Sequence, residues 1–343
     1  MLHFAEAIYA RNLEKRKRRF LRAAQRIEDC AVVSVGNISL GGTGKTPAVQ
    51  FIVRTLQSRG ARVAVVARGY RGKLSDRGAV VSNGEKILLD ARDCGDEPLL
   101  HARALPGVIV VIGRDRIAAA KRAVEIGADV VVLDDAFSYW SLARDFDVVL
   151  LDARRPFDNG HLLPRGRLRE SPQELKRADA ILLTRCDLAD ENQLMQSRES
   201  IARLSGAPLW ETRHAPVSLI CKNGKTTSLE DLRGARLGAV SALADNANFA
   251  ASLRVLGAEV VAHAARRDHH FWSAAELQRA VAQAKANGAN CVVTTEKDIV
   301  KFPACEFDLP IFALRIQLQF LAGEDEFDFL LHQKVRRNSG VLS

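Results

Sequence analysis

Lys45 and Thr46 close a glycine-rich run, Gly41-Gly42-Thr43-Gly44-Lys45-Thr46-Pro47, whose residue types suit the binding of a phosphate chain. Glycines let successive backbone N–H groups close around phosphate oxygens, and a helix opening at Lys45 adds the positive end of its dipole. Gly41, Gly42, Thr43, Gly44, Lys45 and Thr46 are therefore the candidate nucleotide-binding residues. Lys45 is placed to reach the β- and γ-phosphates of ATP, and Thr46 to offer its hydroxyl to Mg²⁺. Pro47 falls in the first helical turn, where its missing N–H is harmless. The strict spacing of a P-loop asks for glycine where Ser39 stands. Leu40 occupies the place where deviant P-loops of the partition and nitrogenase-iron type carry a signature lysine, which speaks against that ATPase class.

A second constellation is Val130-Val131-Val132-Leu133-Asp134-Asp135, an apolar run ending in two carboxylates. Such a strand end holds Mg²⁺ directly or through water, so Asp134 and Asp135 join Thr46 as the metal candidates. Thr184-Arg185-Cys186-Asp187 has the outline of the guanine-reading [NT]-K-x-D turn, with Arg for Lys.

Positioning these groups requires a sheet whose strands end at one edge. Short β-branched runs at 31–35, 62–67, 108–112, 129–133, 147–151 and 180–184 alternate with helical patterns at 46–59 and 115–126, the signature of a parallel, two-sided sheet. A second series of strands at 237–241, 259–263, 291–295 and 311–314 is interleaved with helices at 246–256 and 273–287. The expected fold is α/β, a P-loop NTPase-like parallel-sheet lobe with a second, smaller α/β lobe. Residues 1–27 form a basic N-terminal helix, 28–212 the P-loop lobe and 213–343 the smaller lobe, with Trp210–Lys225 as the linker.

The 343 residues carry a formal net charge of +9, six cysteines and 47% hydrophobic residues. The cysteines show no C-x-x-C pair and no zinc spacing, so they read as reduced thiols. No apolar run approaches the ~20 residues needed to span a bilayer. Eight basic residues between Arg11 and Arg26 face a single acid, Glu14, with Leu2, Ala5, Tyr9, Leu13, Phe20 and Ala24 on one side of the helix. An interfacial membrane helix, a solvated helix and a nucleic-acid arm all fit that pattern.

With these residues in view, the chain resembles the tetraacyldisaccharide 4′-kinase family, the lipid A disaccharide kinases of Gram-negative bacteria. The similarity rests on the P-loop with Val35-Gly36-Asn37, on Arg68-Gly69-Tyr70, and on Gly95-Asp96-Glu97-Pro98-Leu99-Leu100. It continues through Asp134-Asp135, Leu142-Ala143-Arg144-Asp145, Asn159-Gly160-His161-Leu162-Leu163-Pro164 and Leu168-Arg169-Glu170, then Asp268-His269-His270 and Thr295-Glu296-Lys297-Asp298. The resemblance implies Mg²⁺-dependent transfer of the γ-phosphoryl of ATP to the 4′-hydroxyl of an acylated glucosamine disaccharide 1-phosphate. It implies a base at Asp96, expected on a loop after Gly95, paired with His269, and a catalytic Lys45. Substrate contacts fall on Arg68, Glu97, Arg169, Glu170 and His270, with Glu97 and Glu170 also read as ligands of Mg²⁺-bound water. It favours the interfacial reading of the basic helix on an anionic membrane surface, at the cytoplasmic face of the inner membrane. Neither nucleic acid nor an obligate protein partner is expected. The chain departs from the family's pattern at Ala136-Phe137-Ser138-Tyr139, where Gly-Phe-Gln-His is usual, and at Arg71, Arg165 and Arg167. A nucleotide-switched ATPase or GTPase and an inactive lipid-binding relative are the competing readings.

Overall fold

The computed structural model describes residues 2–221 and 224–339. Two compact units emerge, Met1–His214 with Leu318–Ser343, and Ala215–Gln317.

The first unit starts with helix α1 (Leu2–Arg22), followed by strand β1 (Ala31–Gly36), helix α2 (Lys45–Ser58), β2 (Val63–Ala67) and β3 (Ala79–Asn83). The short α3 (Ala91–Cys94), α4 (Asp96–Ala104), β4 (Ile109–Ile112), α5 (Arg116–Glu125), β5 (Val130–Asp134), β6 (Phe146–Asp152), β7 (Ala180–Thr184), α6 (Glu191–Ala202) and the start of β8 (Leu209–Cys221) complete it. The strand order is β3-β4-β2-β5-β1-β6-β7-β8, parallel except for β3, which runs antiparallel on β4 at the edge. Every residue of β1, β2, β4, β5 and β7 is buried, as continuous Val/Ile/Leu strands between two helical layers must be. Register places Val35 beside Asp134 and Val66 beside Leu133, so β1, β5 and β2 deliver their following loops to one C-terminal edge. Ligands of open α/β sheets bind at that edge.

The second unit adds the two-residue β9 (Thr226–Thr227), β10 (Arg236–Ala242), α7 (Asn246–Val255), β11 (Glu259–Arg266), α8 (Ala274–Ala286), β12 (Cys291–Thr295), α9 (Glu296–Ile299) and most of β13 (Ile311–Phe320). Its parallel strands run β11-β10-β12-β13 over a core of Leu237, Ala239, Phe249, Leu253, Val293 and Leu314.

The structure departs from the sequence reading in three places. Residues 209–221 form strand β8, with Trp210 and Thr212 buried, where Pro216 and the polar Asn223-Gly224 pattern suggested a linker. Residues 318–343 belong to the first unit, so 213–343 is not one compact lobe. Helix α10 (Glu324–Ser339) explains why: Phe327, Leu331 and Val335 recur at helical spacing and are fully buried. Phe327 packs on Phe146 at 6.1 Å, on Phe320 at 5.1 Å and edge-on against Trp210 at 5.2 Å. Finally, Asp96 opens helix α4 rather than sitting on a loop, since Pro98 is tolerated in a first turn.

Candidate active site

The P-loop lies between β1 and α2, with Gly41 at φ 117° and Gly44 at φ 85°, conformations open to glycine at little cost. The segment at 161–170 braces it from outside. Leu40 N–H donates to the Arg167 carbonyl at 2.7 Å, Arg169 N–H to the Ile38 carbonyl at 2.7 Å, and the Arg167 guanidinium to the Leu40 carbonyl at 3.1 Å. Arg167, a departure from the family's pattern, thus acts as a strut for the phosphate loop.

Lys45, Asp135 and Arg169 meet at the sheet edge. Asp135 adopts φ 52°, a left-handed turn that Asp tolerates better than most residues. Its carboxylate lies 3.7 Å from Lys45 Nζ and accepts two hydrogen bonds from the Arg169 guanidinium at 2.6 and 3.1 Å. Arg169 also donates to the carbonyl and side chain of Asn37. Burial alone would raise the Asp135 pKa, but the Lys45 charge and the Arg169 hydrogen bonds outweigh it and hold the carboxyl at about 2. Asp135 is therefore ionised at any physiological pH.

Asp134 is buried at the end of β5, and His101 Nε2 lies 3.3 Å from its Oδ2. His101, fully buried on α4, was invisible to sequence reasoning: a single His in an apolar helix carries no spacing signal. Arg116 is buried beside both carboxylates and donates to the Gly113 carbonyl at 2.5 Å. Burial, and in smaller part the nearby Arg68 charge, depress it to about 10 despite the attraction of Asp134 and Asp135. Tyr139 supports Arg116: its hydroxyl accepts the Arg116 backbone N–H at 3.1 Å at the start of α5. The tyrosine that replaces the family's usual histidine is thus built into the site.

Two sequence blocks converge next to this edge. A Cβ on Gly95 would meet the Tyr70 carbonyl at 2.7 Å, and one on Gly72 the Asp93 carbonyl at 2.6 Å, while Lys73 and Leu74 N–H groups donate to the Arg92 and Asp93 carbonyls at 3.0 Å. The Arg68-Gly69-Tyr70 and Gly95-Asp96 segments are thereby laced together. Asp96 is buried, and its Oδ1 accepts the Glu97 N–H at 3.0 Å. Glu170 is buried and bound to Arg177 at 2.6 Å; burial raises its pKa against the pull of Arg177. That partnership makes it a support for the loop more than a free ligand.

Helix α1 is tied to the same loop. The Tyr9 hydroxyl donates to the Arg169 carbonyl at 3.0 Å, Glu6 accepts the Leu162 N–H at 2.9 Å and faces Arg165 at 3.4 Å, and Lys17 pairs with Glu174 at 2.5 Å. Arg165, another departure, has its partner there. Leu2, Phe4, Ile8 and Leu21 on α1 remain exposed, and no residue of α1 is buried. Among the described residues no helix is long and apolar enough to cross a membrane.

In the second unit His269 adopts φ 62°, with its Nε2 3.4 Å from Lys297 Nζ and 3.7 Å from Asp268. Lys297 reaches Asp268 at 3.3 Å, so the Asp268-His269-His270 and Thr295–Asp298 blocks are one cluster. His270 turns elsewhere, to Glu276 at 3.2 Å and edge-on to Trp272.

Among the described residues no group of three or more His, Cys, Asp or Glu side chains could hold a metal by itself. Two carboxylates at a P-loop are nevertheless the donor set Mg²⁺ takes when nucleotide phosphates and water complete an octahedron. Thr46 with Asp134 and Asp135 fits that ion.

The family model for LpxK, tetraacyldisaccharide-1-P 4′-kinase, matches residues 1–336. This chain belongs to the tetraacyldisaccharide 4′-kinase family. The family member of Anaeromyxobacter sp. strain Fw109-5 is 47% identical over 315 residues, covering 91% of this chain and 84% of its own. That of Syntrophus aciditrophicus is 40% identical over 317 residues, covering 90% and 84%. The crystal structure of LpxK from Aquifex aeolicus in complex with ATP superposes with a TM-score of 0.79 at 27% identity, over 96% of this chain and 97% of that one. The expected α/β P-loop fold, the use of ATP and the phosphotransferase class with an alcohol acceptor are thereby borne out. The nucleotide-switch and inactive-relative readings are not favoured.

Proposed function

We propose that the chain transfers the γ-phosphoryl group of ATP to the 4′-hydroxyl of an acylated glucosamine disaccharide 1-phosphate, with Asp96 as the base and His269 as its partner. The observation that carries this is the Lys45–Asp135–Arg169 network, a cationic and anionic set drawn from three separated segments onto the P-loop edge. Phosphoryl transfer needs positioning and charge neutralisation more than covalent catalysis. Backbone N–H groups of Gly41–Thr46 cradle the phosphates, and Lys45 neutralises charge developing on the transferred group. Thr46, Asp134 and Asp135 would hold Mg²⁺, which would supply positive charge to neutralise the nucleotide phosphates. Asp96 accepts the proton of the attacking hydroxyl, and His269 supports the resulting charge.

Arg68, Glu97, Arg169 and His270 contact substrate, with Glu170, held by Arg177, as a support for its loop. The exposed apolar residues of α1, with the basic run from Arg11 to Arg26, rest on an anionic membrane surface at the cytoplasmic face. A cavity of about 440 Å³ lined by Arg19, Phe20, Arg114 and Tyr139 offers apolar and cationic walls beside α1, suited to part of an acylated phosphosugar. No nucleic acid is needed to account for the basic charge, and no obligate protein partner is proposed.

Single-turnover kinetics at saturating Mg·ATP test the base. Asp96→Asn keeps the side chain's size and loses the base, so the rate should fall about 100- to 10,000-fold with nucleotide affinity little altered. His269→Ala should give a similar defect, His270→Ala a milder one, and the double variant should be scarcely worse than the more damaging single change. Additive losses would show that Asp96 and His269 act independently.

A further inference from the structure

The turn after β7 is a motif that phosphoryl transfer leaves unused. Strand β7 runs parallel to β6, and β6 to β1, so Thr184-Arg185-Cys186-Asp187 leaves the sheet at the same edge as the P-loop. Thr184 Oγ1 donates to the Thr43 carbonyl at 3.0 Å, and Arg185 Nη2 to the Gly42 carbonyl at 2.6 Å. The His214 ring lies against Gly44, where an added Cβ would overlap it. Three side chains thus converge on three consecutive P-loop positions. The guanidinium of Arg185 is also held by Asp152 at 2.5 Å, which fixes the orientation of a planar group able to stack on an aromatic base. Arg185 itself adopts φ 60°, and a single short turn, Cys186–Leu188, follows. Cys186 is buried in the core, whereas Asp187 is exposed. Among the described residues the Asp187 carboxylate has neither a hydrogen-bond nor an ion-pair partner.

We propose that this turn holds the purine base of the nucleotide, and that Asp187 makes guanosine triphosphate a phosphoryl donor alongside ATP. The inference rests on the phosphoryl-transfer reading above and adds the nucleoside end of the site. A carboxylate only accepts hydrogen bonds. Guanine offers it two donors side by side, N1–H and the exocyclic N2 amine, while adenine offers only its N6 amine. With phosphates in the same cradle, the reaction with GTP is the same displacement. The bond from the γ-phosphorus to the β,γ-bridging oxygen breaks and a bond to the acceptor oxygen forms. The hydroxyl proton goes to the base, and GDP leaves.

The test uses the full chain with detergent-dispersed acylated disaccharide 1-phosphate, and measures kcat/KM for ATP, GTP and xanthosine triphosphate. A parallel arm omits the acceptor and measures displacement of a fluorescent ATP analogue by each nucleotide. GTP should be used within about tenfold of ATP. Asp187→Asn should lower the GTP-to-ATP ratio about 10- to 100-fold, the scale of one bidentate base contact. The same change should raise the xanthosine-to-guanosine ratio, because the asparagine amine donates to the carbonyl that xanthine carries in place of the N2 amine. The displacement constants should move in parallel. Normal ATP transfer with GTP neither transferred nor displacing the analogue would overturn the proposal, as would an unchanged GTP-to-ATP ratio in Asp187→Asn. Failure of ATP transfer itself would instead strike at the phosphoryl-transfer reading, and the acceptor-free arm would still report on the base.

Discussion

Replacing Gly44 by alanine puts a methyl group where the His214 ring sits. Two costs combine. Gly44 has φ 85°, and a left-handed conformation costs an alanine about 1–2 kcal/mol. The new Cβ would also overlap Nε2 and Cε1 of His214, whose ring must swing aside. Its Nε2 is buried without a hydrogen-bond partner among the described residues, so no polar bond resists that movement. A rotamer displaced by some 30° costs about 0.5–1.5 kcal/mol, which brings the expected loss of stability to about 2–3 kcal/mol. The P-loop backbone must absorb what the ring does not, and ATP affinity should fall about 100-fold or more. His214→Ala removes the overlap and leaves the backbone cost, so Gly44→Ala/His214→Ala should recover about 1 kcal/mol relative to additivity. Urea unfolding and calorimetric ATP binding on the four proteins measure both quantities. Strict additivity, or a Gly44→Ala protein as stable as the parent, would refute the reasoning.

Lys45→Ala should leave the fold intact and lower kcat/KM by about 100-fold or more, measured on the lipid acceptor, since a charge on the transferring group is lost. Deleting residues 2–22 should weaken co-sedimentation with anionic vesicles in a salt-dependent way. It should also depress turnover on detergent-dispersed acceptor, because Tyr9, Glu6 and Lys17 hold the loop that carries Arg169; Tyr9→Phe should give a milder form of that second defect alone. Asp135, held at about 2 against an ordinary 3.8, contributes stability that is fully present above about pH 4 and is lost as pH falls toward 2. Arg169→Ala should shrink that acid-labile contribution, read as a flatter pH dependence of unfolding between those limits.

The strands and the phosphate loop were legible because both are local signals. Continuous apolar runs such as Val130–Leu133 have one stable use, a strand covered on both faces, and a glycine run between a strand and a helix has few others. Strand β8 was missed because its burial alternates weakly and Pro216 interrupts it, so only its neighbours reveal it as a strand. The return of α10 to the first unit depends on Phe327 meeting Phe146, a contact between residues far apart in sequence. The same limit hid His101, whose significance lies in a neighbour across the fold rather than in any spacing. Tyr139 and Arg165 read as departures from a pattern; the bond to the start of α5 and the pairing with Glu6 turn them into parts of the site.

Incubation of the purified chain with γ-labelled ATP, Mg²⁺ and acylated disaccharide 1-phosphate, followed by mass spectrometry and phosphorus NMR of the lipid, addresses the reaction directly. The label should appear as one added phosphate monoester on the 4′-position, with one ADP formed per lipid modified. Release of labelled inorganic phosphate at an unchanged rate with or without the lipid, and no gain in lipid mass, would contradict the account.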